Sequence, residues 1–176
     1  MAYAYTIRDQ GAMHFVTFTV HQWVDVFTRS TYVEILLESL KYCQENKGLE
    51  IYAWVIMSNH CHLIVRAEQE NLSDVIRDLK KFTSKKIMKA IEENPKESRK
   101  QWLSQVLRHQ GRIWFWNEGY HGEEIFSQDF YDTKVDYINR NPVRAGLVEK
   151  EEEYLWSSAG DFYGVRKGYL DLHYFG

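Results

Sequence analysis

The sequence predicts an α+β domain in which helices cover one face of a mostly antiparallel central sheet, a ferredoxin-like sandwich. Three observations carry that expectation. Segments of strong β-formers occur at 13–20, 49–57 and 60–66, the first of them with clear apolar/polar alternation. Stretches with apolar residues at helical spacing separate or follow them. The elements run strand, helix, strand, strand, helix, then further strand and helix. A chain of 176 residues with 44% hydrophobic and 27% charged side chains is long enough to bury one core. No repeat, low-complexity tract or composition break divides it, so residues 1–176 are expected to form a single domain.

In chain order, Met13-His14-Phe15-Val16-Thr17-Phe18-Thr19-Val20 is the first strand. Thr28-Arg29-Ser30-Thr31 supplies hydroxyl caps for a helix through Asn46, with Val33, Leu36, Leu37, Leu40 and Tyr42 on its core stripe and Lys47-Gly48 as its stop. Residues 49–57 and 60–66 form a hairpin around Ser58-Asn59, so that histidines begin the returning strand. Asn71-Leu72-Ser73-Asp74 opens a second helix. Its apolar side is Leu72, Val75, Ile76, Leu79, Phe82, Ile87 and Ile91, and Asn94-Pro95 ends it. The pattern over 96–122 is mixed, with a short helix through Trp102 and Leu107 and a run, Arg112-Ile113-Trp114-Phe115-Trp116, that suits strand or loop. A last long helix begins at Asp129-Phe130, continues through Val135, Ile138 and Asn141, and is expected to end at Pro142.

Composition excludes several classes. Two cysteines, Cys43 and Cys61, are too few for a disulfide framework, which points to a reducing, cytoplasmic setting. The N-terminus lacks a basic segment followed by an apolar one, and no apolar run reaches the length of a membrane span, so neither export nor membrane insertion is expected. With a net charge of −3 the whole molecule has no nucleic-acid signature, and an anionic partner must be held by a local patch. Six Trp, twelve Tyr and nine Phe leave rings such as Trp114, Trp116 or Tyr120 available for stacking on bases, although core packing explains such rings as well.

Three constellations bear chemistry. In His60-Cys61-His62 the histidines stand two apart on a strand, point the same way and can present two imidazoles to one metal ion; two ordinary strand histidines would look the same. Tyr137 and Asn141 stand four apart on a helix, which puts a phenol and a carboxamide on one face. An amide oxygen there is a hard ligand suited to Mg²⁺ or Mn²⁺. Arg77, Lys80, Lys81, Lys85, Lys86 and Lys89 make the second helix densely basic, as a phosphate-binding surface or as a solvated helix face. Arg108, Arg112, Arg140 and Arg144 are further candidates for phosphate contact.

Taken together, Asn59-His60-Cys61-His62-Leu63-Ile64 resembles the His-hydrophobe-His motif of single-tyrosine HUH nucleases, and Tyr137-Ile138-Asn139-Arg140-Asn141-Pro142-Val143-Arg144-Ala145-Gly146-Leu147-Val148 resembles their nucleophile segment. With Trp54-Val55-Ile56-Met57, Trp116-Asn117-Glu118-Gly119-Tyr120-His121 and Tyr154-Leu155-Trp156-Ser157-Ser158, the chain is most similar to REP-associated tyrosine transposases. One departure is Cys61, where a larger aliphatic residue is usual; its side chain is expected to face the core.

The resemblance implies an HUH-type fold and metal-dependent nicking and rejoining of single-stranded DNA next to a hairpin. Tyr137 would be the nucleophile, forming a 5′-phosphotyrosyl intermediate, and His60, His62 and Asn141 would hold one Mg²⁺ or Mn²⁺. Arg77, Lys80, Lys81, Lys85, Lys86, Lys89, Arg140 and Arg144 would bind DNA. No nucleotide cofactor is implied, because transesterification conserves bond energy. Both monomers and homodimers that exchange the tyrosine helix occur among such proteins. A histidine-triad hydrolase would need a third histidine where Ile64 stands, and a Cys61 nucleophile would need an exposed thiol. A hairpin-binding regulator that no longer cuts is the alternative from another class.

Overall fold

The structure, a computed structural model, describes residues 6–176; the first residues of the N-terminal reading, 1–5, lie outside the described part. Strand β1 (His14–Thr19) leads through a short 3-10 turn to helix α1 (Ser30–Lys47). The hairpin β2 (Leu49–Ile56) and β3 (His60–Ala67) follows, then α2 (Leu72–Glu93) and α3 (Lys100–Leu107). A small ribbon, β4 (Arg108–His109) and β5 (Arg112–Ile113), precedes β6 (His121–Glu124), the long helix α4 (Gln128–Arg144) and the single turn α5 (Ala159–Phe162). The main sheet has the order β2-β3-β1-β6 with every pairing antiparallel, which is the ferredoxin-like arrangement, with α3 and the ribbon inserted before the last strand.

Alternation along the strands divides the interior in two. Val16, Phe18 and Val20 of the β1 segment, Trp54 and Ile56 of β2, and Cys61, Leu63 and Val65 of β3 pack against α1 and α2. Phe15, Ala53, Val55 and Ile64 face the opposite way and meet Tyr131 and Ile138 of α4. Helices therefore cover both faces of the sheet, not the single face expected from sequence. The reason lies in β3: Ile64 is fully buried on the side opposite Leu63, so both faces of the central strands are apolar and both need cover. The outer edge of β2 is closed by the 154–158 segment and the tail, through Ile56 N to Trp156 O (2.9 Å), Ser158 N to Trp54 O (2.9 Å) and His173 N to Ile51 O (2.8 Å).

Three local expectations need correction. Tyr42 is exposed and Cys43 takes its place in the α1 stripe. Phe82 is likewise exposed; Thr83 is the buried residue of that turn, its hydroxyl donating to Leu79 O (2.7 Å) and accepting from Trp116 Nε1 (3.0 Å). Finally, α4 does not stop at Pro142 but continues to Arg144, with Leu147 N returning to Pro142 O (3.0 Å). Proline removes one N–H and crowds the carbonyl one turn before it, a cost the helix bears here, and the turn that follows closes through Leu147 N.

Cys61 is buried in the core shared with α1 and α2, and burial pushes its thiol up to about 12. In a Cys43→Ala background the folded protein is expected to resist a thiol reagent at pH 8 and to react fully in denaturant. Rapid labelling of the folded variant would mean that the β3 alternation is assigned to the wrong faces.

Candidate active site

His60 and His62 share the α4 face of β3, and the register sets what surrounds them. Thr17 of β1 lies directly opposite His62, and Thr17 Oγ1 is 2.7 Å from His62 Nδ1. At the strand's start Asn59 Oδ1 accepts from His60 Nδ1 (2.7 Å), while Asn59 Nδ2 donates to Asp25 Oδ1 (3.1 Å) and Trp23 O (3.3 Å). That amide orientation fixes the His60 tautomer, leaving Nε2 with its lone pair. The rings lie 4.9 Å apart at 71°, and Phe15 stacks on His62 at 5.4 Å.

From the other side, α4 contributes Tyr137, Asn141 and Arg144. Spacings of four and seven place all three on one stripe of the helix, and this stripe faces the histidines. The Tyr137 ring lies 5.2 Å from that of His62, and the Arg144 Cζ lies 5.2 Å from the Tyr137 ring centre. Together with Thr17, Trp23 and Ala145 these residues line one cleft of about 420 Å³. A larger hollow of about 550 Å³ between α1 and α2 contains none of the predicted catalytic or metal-binding side chains.

The cleft is electrostatically arranged for neutral imidazoles. Burial, then the nearby charges of His60, Lys134 and His121, pushes His62 down to about 3, and burial lowers His60 as well. The Nε2 of His62 is buried without a hydrogen-bond partner. Lys134, one turn before Tyr137, places its Nζ 4.4 Å over Phe15 and pairs with Glu123 of β6, which His121 also contacts at 2.8 Å. Burial alone would raise the Glu123 carboxyl, but the bonds from Lys134 and His121 outweigh it and hold it below its ordinary range.

The predicted catalytic and metal-binding residues thus converge, whereas the predicted DNA-binding residues largely do not. Helix α2 lies on the far face of the sheet, and its charges are mostly engaged. Arg77 pairs with Asp74 (2.7 Å) and Asp78 (3.0 Å), Lys86 with Glu38 (3.5 Å) and Lys89 with Glu93 (3.8 Å). Lys80 is turned inward, where it donates to Asn117 O (3.0 Å) and Gly119 O, and burial lowers it to about 8. Lys81 and Lys85 remain exposed on the same helix. Arg140 pairs with Asp136 (3.3 Å) and Glu151 (3.2 Å), which leaves Arg144 as the predicted cation at the cleft. Trp116 is core, Tyr120 packs against it, and Trp114 stands beside His21 at 6.0 Å. Thr17, Trp23 and Lys134 belong to the site but carry no periodic or motif signal. Strand pairing brings in Thr17, the α4 stripe Lys134, and the turn held by Asn59 brings in Trp23.

Residues 8–141 match the family of IS200-like transposases, a span that takes in the histidine pair and closes on Asn141. The fold is similar to that of a REP-associated tyrosine transposase bound to a REP hairpin, with a TM-score of 0.71 at 20% identity over 95% of this chain and 89% of that one. A protein of Deinococcus radiodurans overlaps more loosely, with a TM-score of 0.46 at 17% identity over 80% of this chain and 94% of that one. No curated protein matches the sequence. No helix of the described residues is long and apolar enough to cross a membrane. The chain belongs to the IS200-like transposase family, whose members act on DNA to transpose it.

Proposed function

We propose that this transposase nicks and rejoins single-stranded DNA beside a hairpin, with Tyr137 as nucleophile. The observation that carries the reading is the single cleft in which Tyr137, Asn141 and Arg144 of α4 face His60 and His62 of β3. The hairpin substrate is inferred from the similar protein bound to a REP hairpin.

The donors fit a divalent ion. Among the described residues no group of three or more His, Cys, Asp or Glu side chains can hold a metal, so a third ligand must be of another type. Asn141 lines the cleft, and the oxygen of its side-chain amide is of that type. With Nδ1 oriented by Thr17, the orphaned Nε2 of His62 is the nitrogen a cation would satisfy. A bound Mg²⁺ or Mn²⁺ would draw charge from the oxygens of the scissile phosphate.

Tyr137 Oη attacks the phosphorus, forming the Oη–P bond as the P–O3′ bond breaks, and the phenolic proton is lost to solvent while the departing 3′ oxygen takes one up. The products are a 5′-phosphotyrosyl protein and a free 3′-hydroxyl. Attack by another 3′-hydroxyl reverses the step and joins new DNA without ATP. Arg144, beside the Tyr137 ring, holds positive charge where the phosphate must sit.

Tyr137→Phe is expected to abolish nicking and the covalent adduct on labelled hairpin oligonucleotides while leaving binding within about threefold; an undiminished adduct would remove Tyr137 as nucleophile. His60→Ala, or chelator with the unchanged protein, should stop cleavage, and equal activity in chelator would refute the metal. Arg144→Ala should slow adduct formation at least about tenfold, as expected for loss of one charge-assisted bond, whereas Arg77→Ala should change it little.

The buried histidine also sets an acid limit. Because the folded-state pKa of His62 is below that of the unfolded chain, the unfolded chain binds the extra proton between pH 6.5 and about 3. Stability is therefore lost as pH falls below about 6.5, by about 1 kcal/mol at pH 5.5 from this site. Urea midpoints in chelator at pH 7.5 and 5.5 should fall less for His62→Gln than for the unchanged protein.

A further inference from the structure

We propose that the indole of Trp23 is a stacking platform for one unpaired base at the mouth of the cleft, an inference that rests on the reading of the cleft as a single-stranded DNA site. Trp23 is 61% exposed yet lines the same cleft as His60, Tyr137 and Arg144. Its ring meets His60 at 5.8 Å in an edge-to-face arrangement. A singly exposed aromatic needs no explanation in itself. The backbone beneath this one does.

Both Gln22 (φ 54°) and Trp23 (φ 55°) are in the left-handed region, where residues with a Cβ are strained. The strain does not serve to bury the ring, which stays in solvent. Instead, the turn is fixed at several points. His21 N donates to Phe115 O (2.7 Å), Trp23 N to Val20 O (2.9 Å), and Asn59 Nδ2 to Trp23 O (3.3 Å). The same Asn59 orients His60, so the backbone that carries the indole is tied to the histidine. One side of the cleft therefore presents a largely exposed indole on a backbone held at several points, and α4 presents a guanidinium and a phenol. A nucleotide offers the complement, a flat base joined to an anionic phosphate. Stacking on an indole tolerates any base, so the platform adds affinity and alignment without reading sequence.

The test uses binding in the Tyr137→Phe background, so that it needs no chemistry. A hairpin oligonucleotide with a single-stranded flank is titrated against Tyr137→Phe alone and with Trp23→Ala, Trp23→Gly or Trp23→Phe. Trp23→Gly removes the ring while relaxing the backbone strain, and cooperative thermal unfolding with midpoints no lower than that of Tyr137→Phe establishes that the variants fold. Trp23→Ala and Trp23→Gly are expected to weaken binding about tenfold, within the range for loss of one base stack, and Trp23→Phe to retain most of the affinity. A walk of single abasic sites along the flank should then find one position at which the Trp23→Ala penalty disappears. Undiminished binding by both Trp23→Ala and Trp23→Gly, or a penalty that persists at every abasic position, would overturn the proposal. Absence of any adduct with the unchanged protein would overturn the nicking reading instead, and the abasic walk would still decide the role of Trp23.

Discussion

The antiparallel register between β1 and β3 is the constraint on which the rest depends. It pairs Thr17 with His62 and Phe18 with Cys61, and with a side-chain period of two each pair commits its strand's alternate residues to a face. A slip of one residue would move Cys61 onto the α4 side and drive both imidazoles into the apolar core under α1 and α2. Such a slip is opposed on both faces at once. Leu63 and Val65 would lose their packing against the helices, and Ile64 would lose its contact with α4. Correct placement of the histidines is thus enforced by aliphatic neighbours that take no part in the chemistry.

The second half of the site depends on how α4 passes Pro142. Had the helix ended there, Tyr137 and Asn141 would still share a face, but Arg144 would fall on an irregular segment with no defined direction. By continuing one further half-turn, the helix aligns Arg144 with Tyr137 at seven residues' separation, almost two full turns. Arg140, one turn earlier, is instead engaged by Asp136 and Glu151. Four apart, the two arginines share a face by helical phase, and what distinguishes them is pairing: the carboxylates hold Arg140, while Arg144 lies beside the Tyr137 ring.

Much of this was legible in the sequence because it rests on short-range periodicity. The i, i+2 pattern at 60–62 and the i, i+4 pattern at 137–141 needed only strand and helix geometry, and Cys61 facing inward followed from the same rule. The basic stretch of α2 shows a limit of a different kind, because most of its charges are engaged in the folded protein. Charge density is visible in one dimension, but ion pairing is not: Glu38 comes from another helix, and the carbonyls that hold Lys80 come from the 117–119 segment. Thr17 and Trp23 were likewise hidden because tertiary pairing alone makes them neighbours of His62 and His60. Tyr42 and Phe82 show the corresponding limit on the core. An aromatic next to a helical stripe is as apolar as a core residue, and only the partner surface decides whether Cys43 or Thr83 takes the inner position.

Departures from local rules also carry information when they coincide. Several buried polar atoms lack partners elsewhere, among them Trp54 Nε1 and Asp161 Oδ2, and Glu70 and Gln110 adopt positive φ in turns, so no single irregularity marks a site. Around one cleft, however, lie an orphaned imidazole nitrogen, two consecutive left-handed residues and a helix that runs through a proline. Each lowers stability by itself. Their common neighbourhood is intelligible if His62 Nε2, the indole of Trp23 and the guanidinium of Arg144 all face the same phosphate-bearing ligand, because that ligand and its cation would satisfy the groups the free protein leaves unmatched. On this account the two interior clusters, with their fully buried aliphatic strands, supply the stability that lets the cleft remain locally unfavourable.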